Sequence, residues 1–284
     1  MSTTITSNST TSTEVARRDA SAAPRMTTGR VMRSEWIKQR TLRTTGLTLA
    51  GIFTSLVAFG LIAAQVSTSS TTTNGQGPDF SGSSPVDLVL SGANFTVLIV
   101  AVLGVMVGAR EFSSGMIRST VAAVPSRTSV LLGKVTAFVG SLTPVVVVGT
   151  LAAFFGGTAI LSHAGAASAG WYDAGVARAV LGTIAYLIGL GVIGVSLGMV
   201  LRSIAGGVAT LIGGLLFVPT LASALLPSSW EAVLKYLPSN AGMSFSSITP
   251  SPDLLSAGAG GLVFAGWVAL SLVLAAVVFR RRDV

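Results

Sequence analysis

Cysteine is absent from this sequence, histidine occurs once, and charged side chains make up only 10% of the chain. Without cysteine there is neither a disulfide framework nor a thiolate metal site, and the redox compartment leaves no trace. The single histidine, His163, falls in a small-residue loop. A metal site needs several convergent donors, so an ordinary loop side chain is the better reading. Soluble domains carry about 25% charged residues, and the scarcity of charge excludes an ordinary cytosolic protein.

Nucleotide chemistry is missing as well. A phosphate-binding P-loop needs GxxxxGK[ST]; Gly133-Lys134-Val135 comes nearest and lacks both the preceding glycine and the following hydroxyl. HExxH is absent, and the ten Asp and Glu residues are scattered over separate loops. The chain is therefore not expected to hydrolyse ATP or to be an enzyme, and no cofactor is expected. No predicted span holds an ionisable residue near its middle, which weighs against a proton-driven carrier. A sodium site built from backbone carbonyls remains open.

Apolar residues are plentiful: half of the 284 residues are hydrophobic and the mean hydropathy is +0.76. Runs long enough to cross a ~30 Å hydrocarbon core recur, so the expected fold is an all-α membrane protein with six transmembrane helices. They are placed at about 46–66, 86–108, 130–161 with Pro144 as a kink, 177–201, 204–226 with Pro219 as a break, and 257–279. Gly104 and Gly108, and likewise Gly194 and Gly198, have the GxxxG spacing that lets helix backbones approach. That spacing suits either a specific interface or internal packing. Residues 1–28, rich in Ser, Thr, Ala and Arg, read as a disordered cytoplasmic tail.

The net charge of +8 invites a nucleic-acid reading, but the basic residues cluster beside the apolar runs. With six spans, sixteen of the eighteen Lys and Arg fall on one side, leaving Arg178 and Lys235 on the other. The positive-inside rule then puts both termini in the cytoplasm of a multi-pass plasma-membrane protein, with lipid and not nucleic acid as its surroundings.

Three connections hold more than a turn requires. GRVMRSEWIKQRTLRTT, at 29–45, mixes basic residues with Val31, Met32, Trp36, Ile37 and Leu42. It reads either as an N-terminal interfacial amphipathic helix or as a plain basic flank. PSSWEAVLKYLPSNAGMSF includes a short extracellular helix, expected at about 229–237, with Trp230, Val233, Leu234 and Leu237 on one face. GAREFSSGMIRSTVAAVPSR, at 108–127, joins the second and third spans. A helix over about 109–124 aligns Phe112, Met116, Thr120 and Val124 on one side and spreads Glu111, Ser114 and Arg118 over another. Pro125 ends it. A minimal helix-to-helix connection takes about 2–8 residues, so this one is either a snorkelling turn of unusual length or a surface offered to a partner.

SEWIKQRTLRTTGLTLA (34–50), EFSSGMIRSTVAAVPSRTSVLLGK (111–134) and YLPSNAGMSF (236–245) together resemble the permease subunits of ABC-2 type transporters. The likeness is strongest to the short six-span actinobacterial type associated with drug and antibiotic export. The resemblance implies a permease driven by a separate ATP-binding cassette subunit, two copies per complex, and paired with a second permease copy or a paralogue. It implies export of a drug-like or amphiphilic compound, and so multidrug efflux and antibiotic resistance. By the same resemblance 111–127 becomes a cytoplasmic coupling helix docked on the ATPase. Glu111, Phe112, Gly115, Arg118, Pro125 and Arg127 are then candidate contacts, with Glu35 and Lys38 as secondary ones. Gly115 would permit close backbone approach, and Pro125 would fix the exit angle. Two other classes fit the composition: an ATP-independent carrier or channel, and a non-transporting membrane scaffold or immunity protein.

Overall fold

The computed structural model describes residues 28–70, 84–117, 127–225, 231–249 and 253–281, and the tail expected at 1–28 lies, apart from Thr28, outside them. The described residues are mostly helical and contain no strand. In order they form α1 (Thr28–Thr41), α2 (Arg43–Ser70), α3 (Pro85–Val89), α4 (Gly92–Ser113), α5 (Arg127–His163) and α6 (Val176–Leu201). There follow α7 (Ile204–Ile212), a π-helical turn (Gly213–Phe217), α8 (Val218–Leu225), α9 (Glu231–Leu234), α10 (Pro238–Ser246) and α11 (Ala257–Arg281). Six helical stretches are long and apolar enough to cross a membrane: α2, α4, α5, α6, the α7–α8 unit and α11. They match the six expected spans.

The differences lie at breaks and prolines. The second span was expected to start at 86, but Ser91 separates a short α3 from α4. Ser84 caps α3 by accepting a hydrogen bond from the Val86 amide at 3.2 Å. Helix α5 continues through Pro144. At Pro219 the fifth span widens into the π turn just upstream and then resumes as α8. Proline has no N–H and its ring crowds the carbonyl four residues back, and a wider turn before it accommodates both. The helix expected at 229–237 is described only as the single turn α9, and a second helix, α10, begins at Pro238. Proline suits that first helical position because its missing donor would be unpaired there anyway.

Glycine sets the packing of the centre. Helices α4 and α6 cross with their backbones touching. A Cβ at Gly194 would lie 2.7 Å from the Ala101 carbonyl oxygen, and one at Gly198 2.5 Å from that of Val105. Gly104 and Gly108 meet the carbonyls of Gly191 and Val195 in the same way. Both GxxxG spacings therefore serve internal packing between the second and fourth spans. Lipid tails are as apolar as Leu, so helices associate in a membrane through close van der Waals contact and interhelical hydrogen bonds. One such bond joins α4 to α2, from the Thr96 hydroxyl to the Ser55 hydroxyl at 2.9 Å, fully buried. Other hydroxyls return to their own helix, as Thr183 does to the Ala179 carbonyl at 2.9 Å, which keeps that donor from facing hydrocarbon unpaired. The α7–α8 unit and α11 stand at the periphery, with Phe217, Leu221, Leu225, Leu262 and Leu270 turned outward. Outward apolar side chains are what lipid requires.

Candidate functional site

The charged residues that the sequence spread over two connections meet at one end of the bundle. Helix α1 forms within the segment where an interfacial helix was expected. It packs along the first turns of α5 through Val31, Glu35 and Gln39, spaced i, i+4, i+8 on one face. Ile37 and Leu42, expected on the apolar stripe, are exposed. Two glycines of α5 admit α1: a Cβ at Gly133 would sit 3.2 Å from Val31, and one at Gly140 2.8 Å from the Trp36 ring.

On that face four charges close a ring. Glu35 Oε1 accepts from Lys38 Nζ at 2.7 Å, and its Oε2 accepts from Lys134 Nζ at 3.1 Å. Glu111 Oε1 takes both lysines, Lys134 at 2.8 Å and Lys38 at 3.1 Å. Acid and base alternate, and the ring joins α1, the end of α4 and the start of α5. Lys134, Glu35 and Glu111 are 2%, 3% and 8% exposed. An isolated ion at that burial would cost several kcal/mol, so each is tolerated only because the others are in place. Lys38 is nearest to water. Burial lowers its pKa, but the hydrogen bond and charge of Glu35, followed by those of Glu111, outweigh that and hold the ammonium above its ordinary 10.5. Beside the ring, Ser141 donates to Gln39 Oε1 at 3.0 Å. A cavity of about 280 Å³ opens next to it, lined by Thr45, Leu103, Met106, Arg110 and the ring itself.

A second junction completes this end. The Phe112 ring meets Phe279 of α11 edge-on, with centroids 6.2 Å apart, and the Arg202 guanidinium lies 5.1 Å over its face. Arg202 itself closes α6 in a left-handed conformation, φ 54°. Val31, Ile117, Val130, Leu131, Met199 and Phe279 pack into one buried cluster below these rings. The ends of α4, α6 and α11 and the start of α5 are thereby fastened together with α1.

The expected coupling helix is changed by this geometry. Glu111 and Phe112 belong to the last turn of α4, which ends at Ser113, and the helix expected over 109–124 is broken at Gly115. Gly115 has φ 72°, and a Cβ added to it would meet no atom of the chain within 4 Å, so its task is the left-handed turn that stops α4 and not close approach within the chain. Arg118 and Pro125 fall outside the described residues, and Arg127 is described only as the first residue of α5. The structure thus gathers Glu35, Lys38 and Glu111 into one cluster and places Phe112 beside it. Their carboxylates turn inward to lysines.

Lys134, Gln39, Ser141, Arg202 and Phe279 were missed as site residues. Lys134 carried a usable signal, because an ammonium four residues inside the span expected from about 130 needs a partner. The sequence also contains one GxSxG spacing, at 194–198, which in hydrolases marks a nucleophile. Here Ser196 is buried in mid-helix and donates to the Val192 carbonyl at 2.9 Å, the ordinary bond of a helical serine and not the poise of a nucleophile. Among the described residues no three His, Asp or Glu side chains gather as a metal would need. Comparison with known protein families and with curated proteins finds no match to either.

Proposed function

We propose that this chain is the permease subunit of an ATP-driven exporter of the ABC-2 type, working with two copies of a separate ATP-binding subunit and a second permease copy or paralogue. The observation that carries this reading is the ion-pair ring Glu35–Lys38–Glu111–Lys134. It ties α1, α4 and α5 into one body at the end where α4 gives way to the 111–127 connection, which carries Arg118 and Arg127 in its sequence. An ATPase changes a transporter's conformation only through contacts that differ between its two states. A push on a connection held rigidly to several spans is passed on as rigid-body movement, whereas a push on a loose loop would be dissipated.

Six apolar spans, the one-sided Lys and Arg distribution and the lack of a nucleotide-binding motif are what this reading expects of a permease driven by a separate ATPase. In this reading the ring end is cytoplasmic, the partner's contact surface is the 111–127 connection, and the cargo is an amphiphile that leaves the cell across the plasma membrane. The inward-facing carboxylates of Glu35 and Glu111 shape that surface, and Arg118 and Arg127 meet the partner.

The test is affinity purification of the tagged chain from the cells that naturally express it, with the recovered material assayed for ATP hydrolysis. The reading expects ATPase to be recovered with the chain, and at least tenfold less after Arg118→Ala with Arg127→Ala, while the altered chain still inserts. Transport by the purified chain alone in liposomes, indifferent to ATP, would overturn it in favour of a carrier or channel. An unchanged recovery of ATPase from the double variant would overturn the assignment of the contact surface.

A further inference from the structure

The cavity of about 280 Å³ beside the ion-pair ring is walled mainly by carbon. Leu103, Met106 and Val107 of α4 line it, together with Leu42 from the corner between α1 and α2. Its size is near the lower end of the range for ligand pockets, about 300–1,000 Å³, which suits one small amphiphile.

Several polar groups that line it can only accept a hydrogen bond. Thr41 donates its hydroxyl proton to the Ile37 carbonyl at 3.0 Å, Thr48 to that of Thr44 at 2.8 Å, and Ser114 to that of Arg110 at 3.1 Å, so each hydroxyl is left with lone pairs alone. Glu111 adds a stronger acceptor. Its Oε1 is held by Lys134 and Lys38, whereas its buried Oε2 has no hydrogen-bond partner. A buried acceptor without a donor is costly, so a ligand that brings a donor gains by it. Gln39 also lines the cavity, and its buried Nε2 lacks an acceptor. A hydroxyl, which donates one bond and accepts others, has the chemistry for both.

Charge narrows the occupant further. Glu35 and Glu111 line the cavity along with Lys38, Lys134 and Arg110, two acids against three bases. A cationic head would add a positive charge to a surplus of them. An anionic head would offer Glu111 Oε2 no proton and would repel it. An uncharged donor meets neither penalty.

We infer that this cavity binds a neutral amphiphile bearing a hydroxyl, which donates to Glu111 Oε2 while its hydrocarbon tail lies against Leu103, Met106 and Val107. Binding needs no ATPase, so this inference stands or falls apart from the export reading.

The probes are octyl compounds that carry the same diazirine in the tail and differ in the head: an alcohol, its methyl ether, an ammonium and a carboxylate. Each is photolysed with the purified full chain in phosphatidylcholine nanodiscs, and labelled residues are located by mass spectrometry. The alcohol is expected to label 103–111, with at least a tenfold loss of label when unlabelled octanol is in excess. The ether, which accepts but cannot donate, is expected to label those residues at least tenfold less, and so are both ions. Equal labelling there by the ether or by either ion would overturn the inference, and so would an alcohol label spread evenly over the spans. Val107→Phe, which narrows the cavity without removing a charge, should abolish the alcohol's label, and undiminished labelling would likewise overturn the inference. If that variant does not fold, the comparison of head groups on the unaltered chain decides the matter.

Discussion

The α1–α4–α5 junction and the α4–α6 crossing lie on the same helix and are held by opposite means. At the crossing, glycines remove side chains until backbones touch, and nothing there is charged. At the junction four charged side chains are drawn together and three of them are buried. Lipid explains the contrast. In the middle of a bilayer close packing gives helices a reason to associate, whereas toward its surface an ion ring can form and can join an element, α1, that is not among the helices apolar enough to span. The crossing therefore fixes the bundle, and the junction fixes what is attached to it.

The sharpest way to break that contrast is Lys134→Ala. It leaves Glu35 and Glu111 buried with only the half-exposed Lys38 between them, and removing one member of a buried charge set costs about 3–5 kcal/mol. The expected result is a large fall in melting temperature in detergent, with release of α1 seen as new protease cleavage near 28–41.

Gly108→Val comes next. Its side chain would enter the Val195 backbone, which cannot rotate away as a flexible side chain would. Overpacking usually costs about 1–3 kcal/mol, and the upper part of that range is expected. The melting temperature falls, but α1 stays protected, which separates the two regions.

Lys38→Met is expected to cost under about 1 kcal/mol, because its side chain is 39% exposed and solvent screens the pair. The smallest effect is that of pH. A folded pKa raised above 10.5 means that the contribution of Lys38 is fully present below that value and is lost only as pH rises through the higher folded one. Melting curves between about pH 6 and 9 should therefore show no step attributable to Lys38.

The six spans were legible because a bilayer imposes its thickness on the sequence: α6, expected at 177–201, is found at Val176–Leu201. The ring was not legible, because Glu35 and Lys134 are 99 residues apart and no local pattern joins them. The face by which α1 packs on α5 was hidden for a related reason. The apolar pattern pointed to a stripe for the interface, yet the face that packs on α5 is Val31, Glu35 and Gln39, whose two polar members are made buriable by partners on other helices. The break at Gly115 was hidden because a glycine in a helical pattern reads equally as a packing residue or a stop, and only its φ of 72° decides. Arg202 beside Phe112 could not be foreseen either, since that contact depends on where α6 ends.

The central claim is that the ion-pair ring fastens α1 to the spans, and the absence of cysteine makes it directly measurable. Spin labels on cysteines introduced at the exposed positions Arg33 of α1 and Thr136 of α5 report the distance between them by pulsed electron paramagnetic resonance. A single narrow distance distribution is predicted for the otherwise unaltered chain, and a broad one when Lys134→Ala is added. An equally narrow distribution in both would contradict the account.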